Sequence, residues 1–317
     1  MLNAVLYAAT ILSWGLTWYA VKLQIGVVPP EWSLVYRFGA AGLLLLAWIA
    51  WRAGRAGGPT ARLPWRRHAA LALLAAFIFC GNYLMFYWAA HFIASGLLAV
   101  VFATATVFNA INGALFLRQP IRPATLAAAA LGLGGLALVF LPELRTVGGD
   151  SLIGLGLALA ATFCFSLGNV LSSRSQTAGV PVMTANAYAM TYGAMLTALY
   201  AAAIGSGPAL DLRPSYLWAL AYLVVFGNIV GFGAYLTLLG RIGAARAAYA
   251  TVLIPVIALA VSAMLEDYRW TWLAGVGVAL VIAGNVVALR GGRAPQPAAA
   301  GRPDRRPVGG GPIGSDR

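Results

Sequence analysis

Ten apolar runs follow one another along this 317-residue chain, each close to the length that crosses a bilayer as an α-helix. About 20 apolar residues make such a span. The runs lie near residues 3–22, 31–51, 69–90, 93–117, 123–141, 151–173, 182–204, 215–238, 244–265 and 270–289. Most links are short, and the longest, Arg52–His68, is rich in Gly, Pro and Arg. No soluble domain fits between spans. Of all residues, 61% are hydrophobic and 9% charged, where a soluble domain carries about 25% charged residues. A chain this long with so few charges cannot coat itself with polar groups in water. Soluble enzymes, disordered proteins and nucleic-acid binders are disfavoured together, and the lipid bilayer becomes the chain's first partner. The expected fold class is an all-α integral membrane protein with ten transmembrane helices.

Charge placement tests the count. The formal net charge of +13 would suggest a nucleic-acid partner in a soluble chain. Here every cation but Lys22 is an arginine, and the arginines sort by side. With the N-terminus inside and sides alternating, the inner loops and tail hold Arg52, Arg55, Arg62, Arg66, Arg67, Arg118, Arg122, Arg174, Arg241, Arg246 and every arginine from Arg290 onward. Outside fall only Lys22, Arg145, Arg213 and Arg269, with the acids Glu31, Glu143, Asp150, Asp211, Glu266 and Asp267. Arg37 lies within the second run. This meets the positive-inside rule, and a missed or extra span would scramble half of the partition. The expectation is a multi-pass plasma (bacterial inner) membrane protein with both termini cytoplasmic.

The first run is expected to be a retained helix. It is too long for a signal-peptide core, lacks a basic start and is followed by Lys22-Leu23-Gln24. Cys80 and Cys164 sit inside apolar runs and read as membrane-core residues; no metal-ligand spacing exists. Nothing in the chain specifies an oligomeric state.

Ten spans divide into five plus five with a break near Asp150. Five is odd, so two similar halves insert with opposite orientation. Thr10, Lys22, Gln24 and Pro30 face Thr162, Arg174, Gln176 and Pro181 at an offset of about 150 residues, with one slip of register, and Gly135 matches Gly284. Inverted repeats of this kind mark secondary transporters, whose substrate site lies near midplane between the repeats.

Several local patterns point the same way. They are Ser13-Trp14-Gly15, Arg37-Phe38, Ser166-Leu167-Gly168-Asn169, the stretch from Tyr235 through Arg241 to Ala244, Arg246-Ala247-Ala248-Tyr249-Ala250-Thr251, Glu266-Asp267-Tyr268-Arg269-Trp270 and Gly284-Asn285. In this order they resemble the EamA-type transporters of the drug/metabolite transporter superfamily, over nearly the whole chain except the tail. The resemblance implies ten helices in an inverted repeat and the export or exchange of small metabolites. It divides the chain into EamA-type five-helix repeats at 1–148 and 149–290, with a disordered basic cytoplasmic tail at 291–317. One departure is visible. Where first-half family sequences often carry Gly-Glu-Pro after the fourth helix, this chain has Arg118-Gln119-Pro120.

Polar residues inside a bilayer face protein or a wet cavity. Tyr7, Thr10, Trp14 and Thr17 share a face of the first helix; Thr162, Ser166, Asn169 and Ser173 share one of the sixth. At an offset of 152, Thr10, Trp14 and Thr17 fall on Thr162, Ser166 and Asn169. The substrate path is expected to draw on Trp14, Thr17, Asn82, Tyr83, Thr106, Asn109, Ser166, Asn169, Asn228, Tyr235, Tyr249, Thr251 and Pro255. The same residues also suit a second use, bridging packed helices. Pro255, mid-span in the ninth helix, frees a carbonyl near Thr251 and is a candidate helix break. Arg37 lies six residues past Glu31, about 9 Å deep at 1.5 Å per residue. It either snorkels to the outer surface, the preferred reading, or faces the cavity and attracts an anionic or zwitterionic substrate.

No carboxylate lies deep in any span, which disfavours direct proton coupling through a midplane acid. Glu31, Glu266 and Asp267 at the outer rim leave a rim route open, beside exchange or uncoupled flux. A nucleotide-binding Gly-Lys-Ser/Thr is absent, since the one lysine lies between Val21 and Leu23. The expected function is a secondary transporter of small polar metabolites, amino acids or related compounds, needing no cofactor. The alternatives are an integral membrane enzyme acting on a lipid-linked substrate, or a non-transporting scaffold. The enzyme reading lacks acidic clusters and His pairs on the inner side.

Overall fold

Lipid offers no partner for a bare amide, so a spanning segment must close its hydrogen bonds within itself. In the structure, a computed structural model, the apolar runs do this as helices. It describes residues 2–56, 63–118, 121, 123–146, 149–242, 249–266 and 270–291, and no strand occurs among them.

The first two runs form α1 (Leu2–Leu23) and α2 (Pro30–Ala56). The third is α3 (Trp65–Ala75), a π-helical segment (Ala76–Asn82) and α4 (Tyr83–Ala89). The fourth is α5 (Ser95–Phe102) and α6 (Ala105–Leu117), separated at Ala103 and Thr104. Then come α7 (Pro123–Thr146), α8 (Gly149–Thr177) and α9 (Val182–Ala203). The eighth run repeats the design of the third: α10 (Pro214–Tyr222), a π segment (Leu223–Val230) and α11 (Gly231–Ile242). Last are α12 (Tyr249–Leu265) and α13 (Trp272–Gly291).

Seven stretches are long and apolar enough to cross a membrane: Leu2–Leu23, Pro30–Arg55, Trp65–Ala89, Ser95–Phe116, Pro123–Pro142, Gly149–Ser172 and Pro214–Tyr235. Shorter apolar cores run over Leu253–Leu265 and Trp272–Val287. α9 is not among the seven; its 22 residues include Thr184, Asn186, Thr191 and Thr197.

Helix breaks do not fall where proline pointed. α12 runs through Pro255, and α7 through Pro142. The irregular backbone sits instead in the third and eighth runs, as wide π turns, and in the fourth, at Ala103–Thr104. A π turn widens the ladder by one residue and needs no missing amide to do so, so no proline marks it.

α7 and α13 pack along their length, as do α2 and α9. The first π segment lies against α8 and α9, and the second against α1 and α2. α1 also packs on α12, and α8 on α6. At the α7–α13 seam the approach is close enough to exclude side chains. A Cβ on Gly135 would lie 2.5 Å from the Gly277 carbonyl oxygen, and one on Gly277 would lie 2.5 Å from the Gly135 carbonyl oxygen. Gly284 has the same relation to the Ala128 carbonyl, at 2.8 Å. Small residues let membrane helices gain backbone van der Waals contact where lipid supplies no hydrophobic drive. Phe38, Phe79, Tyr87, Leu97 and Met190 are fully buried in one hydrophobic core. Cys80 and Cys164 are free thiols, both half-buried.

Candidate functional site

Four polar stretches converge around Arg37: α1, α2 and the two spans that carry π segments. Arg37 has 0% exposure, so it does not snorkel to the outer surface. Its Nη2 donates to Asn228 Oδ1 at 3.1 Å. Its Cζ lies 4.7 Å from the Tyr83 ring centroid and 5.1 Å from that of Phe38. Nε and Nη1 have no hydrogen-bond partner, and neither has Asn228 Nδ2. Among the described residues no carboxylate pairs with this guanidinium; the ion pair present is Arg213–Asp211, in a loop. Rings contribute cation–π attraction, but they cannot accept the in-plane N–H groups.

The second π segment supplies more than Asn228. Trp14 Nε1 donates to the Gly227 carbonyl at 3.1 Å. A Cβ on Gly227 would lie 3.2 Å from Thr17 Oγ1 and 3.5 Å from Arg37 Nη2, so α1, α2 and this segment meet there. Thr17 donates to the Ser13 carbonyl in its own helix at 2.7 Å, which leaves its oxygen free only to accept. Trp14 also packs on Phe232 and Tyr235, with ring centroids 5.2 Å away in each case. Tyr87, fully buried, donates to Gln24 Oε1 at 2.5 Å, and its hydroxyl feels the Arg37 charge. Gln24 Nε2 is buried without a partner.

A second polar set ties α6 to α8. Asn112 Nδ2 donates to Ser166 Oγ at 2.9 Å, Asn169 Nδ2 to Asn109 Oδ1 at 3.1 Å, and Arg174 Nη2 to the Phe116 carbonyl at 2.9 Å. Asn82, at the end of the first π segment, donates to the Ala161 carbonyl of α8 at 2.8 Å. In these residues helix bridging is realised.

A third cluster lies at the ends of α1, α5 and α12. Glu266 Oε2 accepts from Ser95 N at 3.0 Å, Ser95 Oγ at 2.6 Å and Ser262 Oγ at 2.6 Å. Lys22 Nζ donates to the carbonyls of Ala90 at 2.5 Å and Ile93 at 3.4 Å, and its charge faces Glu266. This clasp joins the ends of α1, α5 and α12. His91 beside it is held below the ordinary imidazole range, first by desolvation and then by the Lys22 charge. In a neighbouring loop Arg213 donates from Nε to Asp211 Oδ2 at 2.7 Å and holds that carboxyl below the usual range.

Of the residues singled out by sequence, the structure gathers Tyr83, Asn228 and Thr17 about Arg37, with Trp14 on the adjoining Gly227 carbonyl and Tyr235 packed on Trp14. It sets Asn109, Ser166 and Asn169 in the separate α6–α8 ladder, and Asn82 against α8. Pro255 is buried within continuous α12. The side chains of Thr106, Tyr249 and Thr251 lie outside the described residues, as do the Gln119-Pro120 turn and the 292–317 tail. Sequence reasoning did not single out Gln24, the Gly227 carbonyl or the Lys22–Glu266 clasp. Gly81-Asn82 and Gly227-Asn228 place the same dipeptide in both π segments, but Gly168-Asn169 and Gly284-Asn285 carry it in regular helices, so it does not mark them.

A protein-family model described as the EamA-like transporter family matches residues 1–141 and 152–290. "Protein PagO" of Salmonella typhimurium is 22% identical over 84% of this chain and 84% of its own. A protein named "Probable amino-acid metabolite efflux pump" in Escherichia coli is 26% identical over 91% of this chain and 96% of its own. "Uncharacterized inner membrane transporter YedA" of Escherichia coli is 28% identical over 78% and 77%. A crystal structure shares the fold with a TM-score of 0.62 at 21% identity, over 90% of this chain and 96% of that one.

Proposed function

This chain belongs to the EamA-like transporter family, and on that premise we propose that it is a secondary exporter or exchanger of small polar metabolites, amino acids or related compounds. Its family and the relatives' names are those of transporters, not enzymes. A relative named as an amino-acid metabolite efflux pump supports the substrate class. In this reading ten spans form two inverted halves, residues 1–148 and 149–290, in a bacterial inner membrane with both termini and the 291–317 tail cytoplasmic. Two observations support the halves. The π segments pack crosswise, the first on α8 and α9 and the second on α1 and α2. The Gly135–Gly277 contact is reciprocal, and Gly284–Ala128 repeats it at the offset of 149 that aligns Gly135 with Gly284.

Rocking of one half against the other exposes the polar cluster to one side and then the other. The Glu266 clasp holds the outer end shut in one of the two states, and its release opens that end. The observation that carries the reading is the Arg37 cluster itself: buried polar groups with unspent hydrogen-bonding capacity, enclosed between helices of both halves. Flux of radiolabelled amino acids and related metabolites into proteoliposomes tests it. Saturable, protein-dependent flux is expected for at least one panel member, reduced in an Asn228→Ala protein that still inserts. Flux for none removes the reading, and normal flux in that variant removes the site.

A further inference from the structure

We propose that Arg37, assisted by Asn228, binds the carboxylate of a monoanionic or zwitterionic solute. The proposal deepens the transporter reading, on which it rests for what happens to the bound solute. What the cluster lacks is specific. The groups left without partners are all N–H donors: Nε and Nη1 of Arg37, Nδ2 of Asn228 and, beyond Tyr87, Nε2 of Gln24. A structural arginine buried this deeply acquires acceptors or an acid, because an uncompensated charge is costly away from water. Arg37 has one amide oxygen, the neighbouring Tyr87 hydroxyl and two aromatic rings and, among the described residues, no acid. A carboxylate supplies one negative charge and two acceptor oxygens in a plane that fits a guanidinium.

The charge count selects among anions. Arg37 is the one cation placed well inside a span. One positive charge neutralises a carboxylate and leaves a phosphate dianion with charge to spare in an apolar setting. The neighbouring rings of Phe38 and Tyr83 then suit the carbon part of the solute, or an ammonium over a ring face, but not a second negative charge.

The test uses the purified full-length chain in detergent and reads thermal unfolding. The probes are acid–amide pairs, L-leucine with L-leucinamide and L-phenylalanine with L-phenylalaninamide, and inorganic phosphate at matched ionic strength. Wild type is expected to melt higher with the acids and not with the amides or phosphate. Arg37→Gln is expected to weaken the acid response at least tenfold in half-saturating concentration, and Arg37→Lys to retain part of it. Ligand-free Arg37→Gln is expected to melt at or above wild type, since it removes an uncompensated charge. Equal responses to acid and amide, an equal response to phosphate, no response to either acid, or an acid response that survives Arg37→Gln each overturns the proposal. So does a ligand-free Arg37→Gln protein melting well below wild type, which makes the arginine structural. Asn228→Ala, which leaves the guanidinium in place, must also weaken the acid response several-fold, and an unaltered response overturns the proposal. Binding without flux removes the transport reading alone; flux without carboxylate selectivity removes this proposal alone.

Discussion

The third and eighth spans use the same backbone device and put it to different ends. Each widens into a π turn, and each carries a Gly-Asn pair there. In the first segment Asn82 donates to a backbone carbonyl of α8, and no unpaired side-chain atom remains among its described residues. In the second, Asn228 accepts from a buried arginine and keeps its own amide hydrogens unpaired, while the Gly227 carbonyl takes the Trp14 indole. One segment is finished as packing; the other is left short of acceptors. The same irregularity is therefore not itself a functional mark. What distinguishes the two is the balance of donors and acceptors around them.

The largest expected effect breaks that comparison with one substitution made twice. Asn82→Asp removes the donor to Ala161 and buries an acid in the spans, at a cost of about 3 kcal/mol. Asn228→Asp gives Arg37 a counter-charge and raises ligand-free stability by about 1–3 kcal/mol, while abolishing any response to carboxylates. Unfolding of both variants in detergent near neutral pH checks this, and the same sign for both ends the distinction. Next in size, Gly193→Leu drives a side chain into Phe79 of the first segment and costs about 1–3 kcal/mol. Less extracted, folded protein is the readout, with Phe79→Ala restoring part of it. Trp14→Phe keeps an aromatic ring, though a smaller one, and loses one hydrogen bond to the second segment, about 0.6 kcal/mol for that bond on the scale measured for membrane proteins. A double-mutant cycle with Tyr235→Ala separates that loss from ring packing.

The smallest effect concerns how the eighth span is entered. Arg213 depresses the Asp211 carboxyl, so this tie is complete above the ordinary carboxylate pKa of about 4. It is lost as pH falls through the lower folded value. Wild type and Asp211→Asn should differ slightly at neutral pH and converge in acid; a difference that persists in acid assigns the effect to something else.

The positions of the apolar helices, and the shared face of Trp14 and Thr17 on α1, were legible because apolar length and helical phase are local properties. The fate of Arg37 was not. Rise per residue gives its depth, but whether it reaches outward depends on Phe38, Tyr83 and Asn228 closing over it, and two of those come from other spans. Pro255 misled for a related reason: a membrane helix tolerates proline when its neighbours absorb the freed carbonyl, whereas a π turn has no residue of its own. The repeated Gly-Asn pair does not supply one, since it also stands in regular helices at Gly168-Asn169 and Gly284-Asn285. Asn109, Asn112 and Asn169 looked equivalent to Asn228 by composition, and only their partners show that the first three join α6 to α8.

The Gly135–Gly277 seam has a mechanical consequence. Contact there is carried by main-chain atoms flanked by Val139 and Val281, whose β-branched side chains have little rotamer freedom to yield. A tilt of α7 therefore reaches α13 undiminished, as between two gear blanks pressed face to face. Slack for any relative movement must be found elsewhere in the molecule, where side chains rather than backbone form the bearing surface.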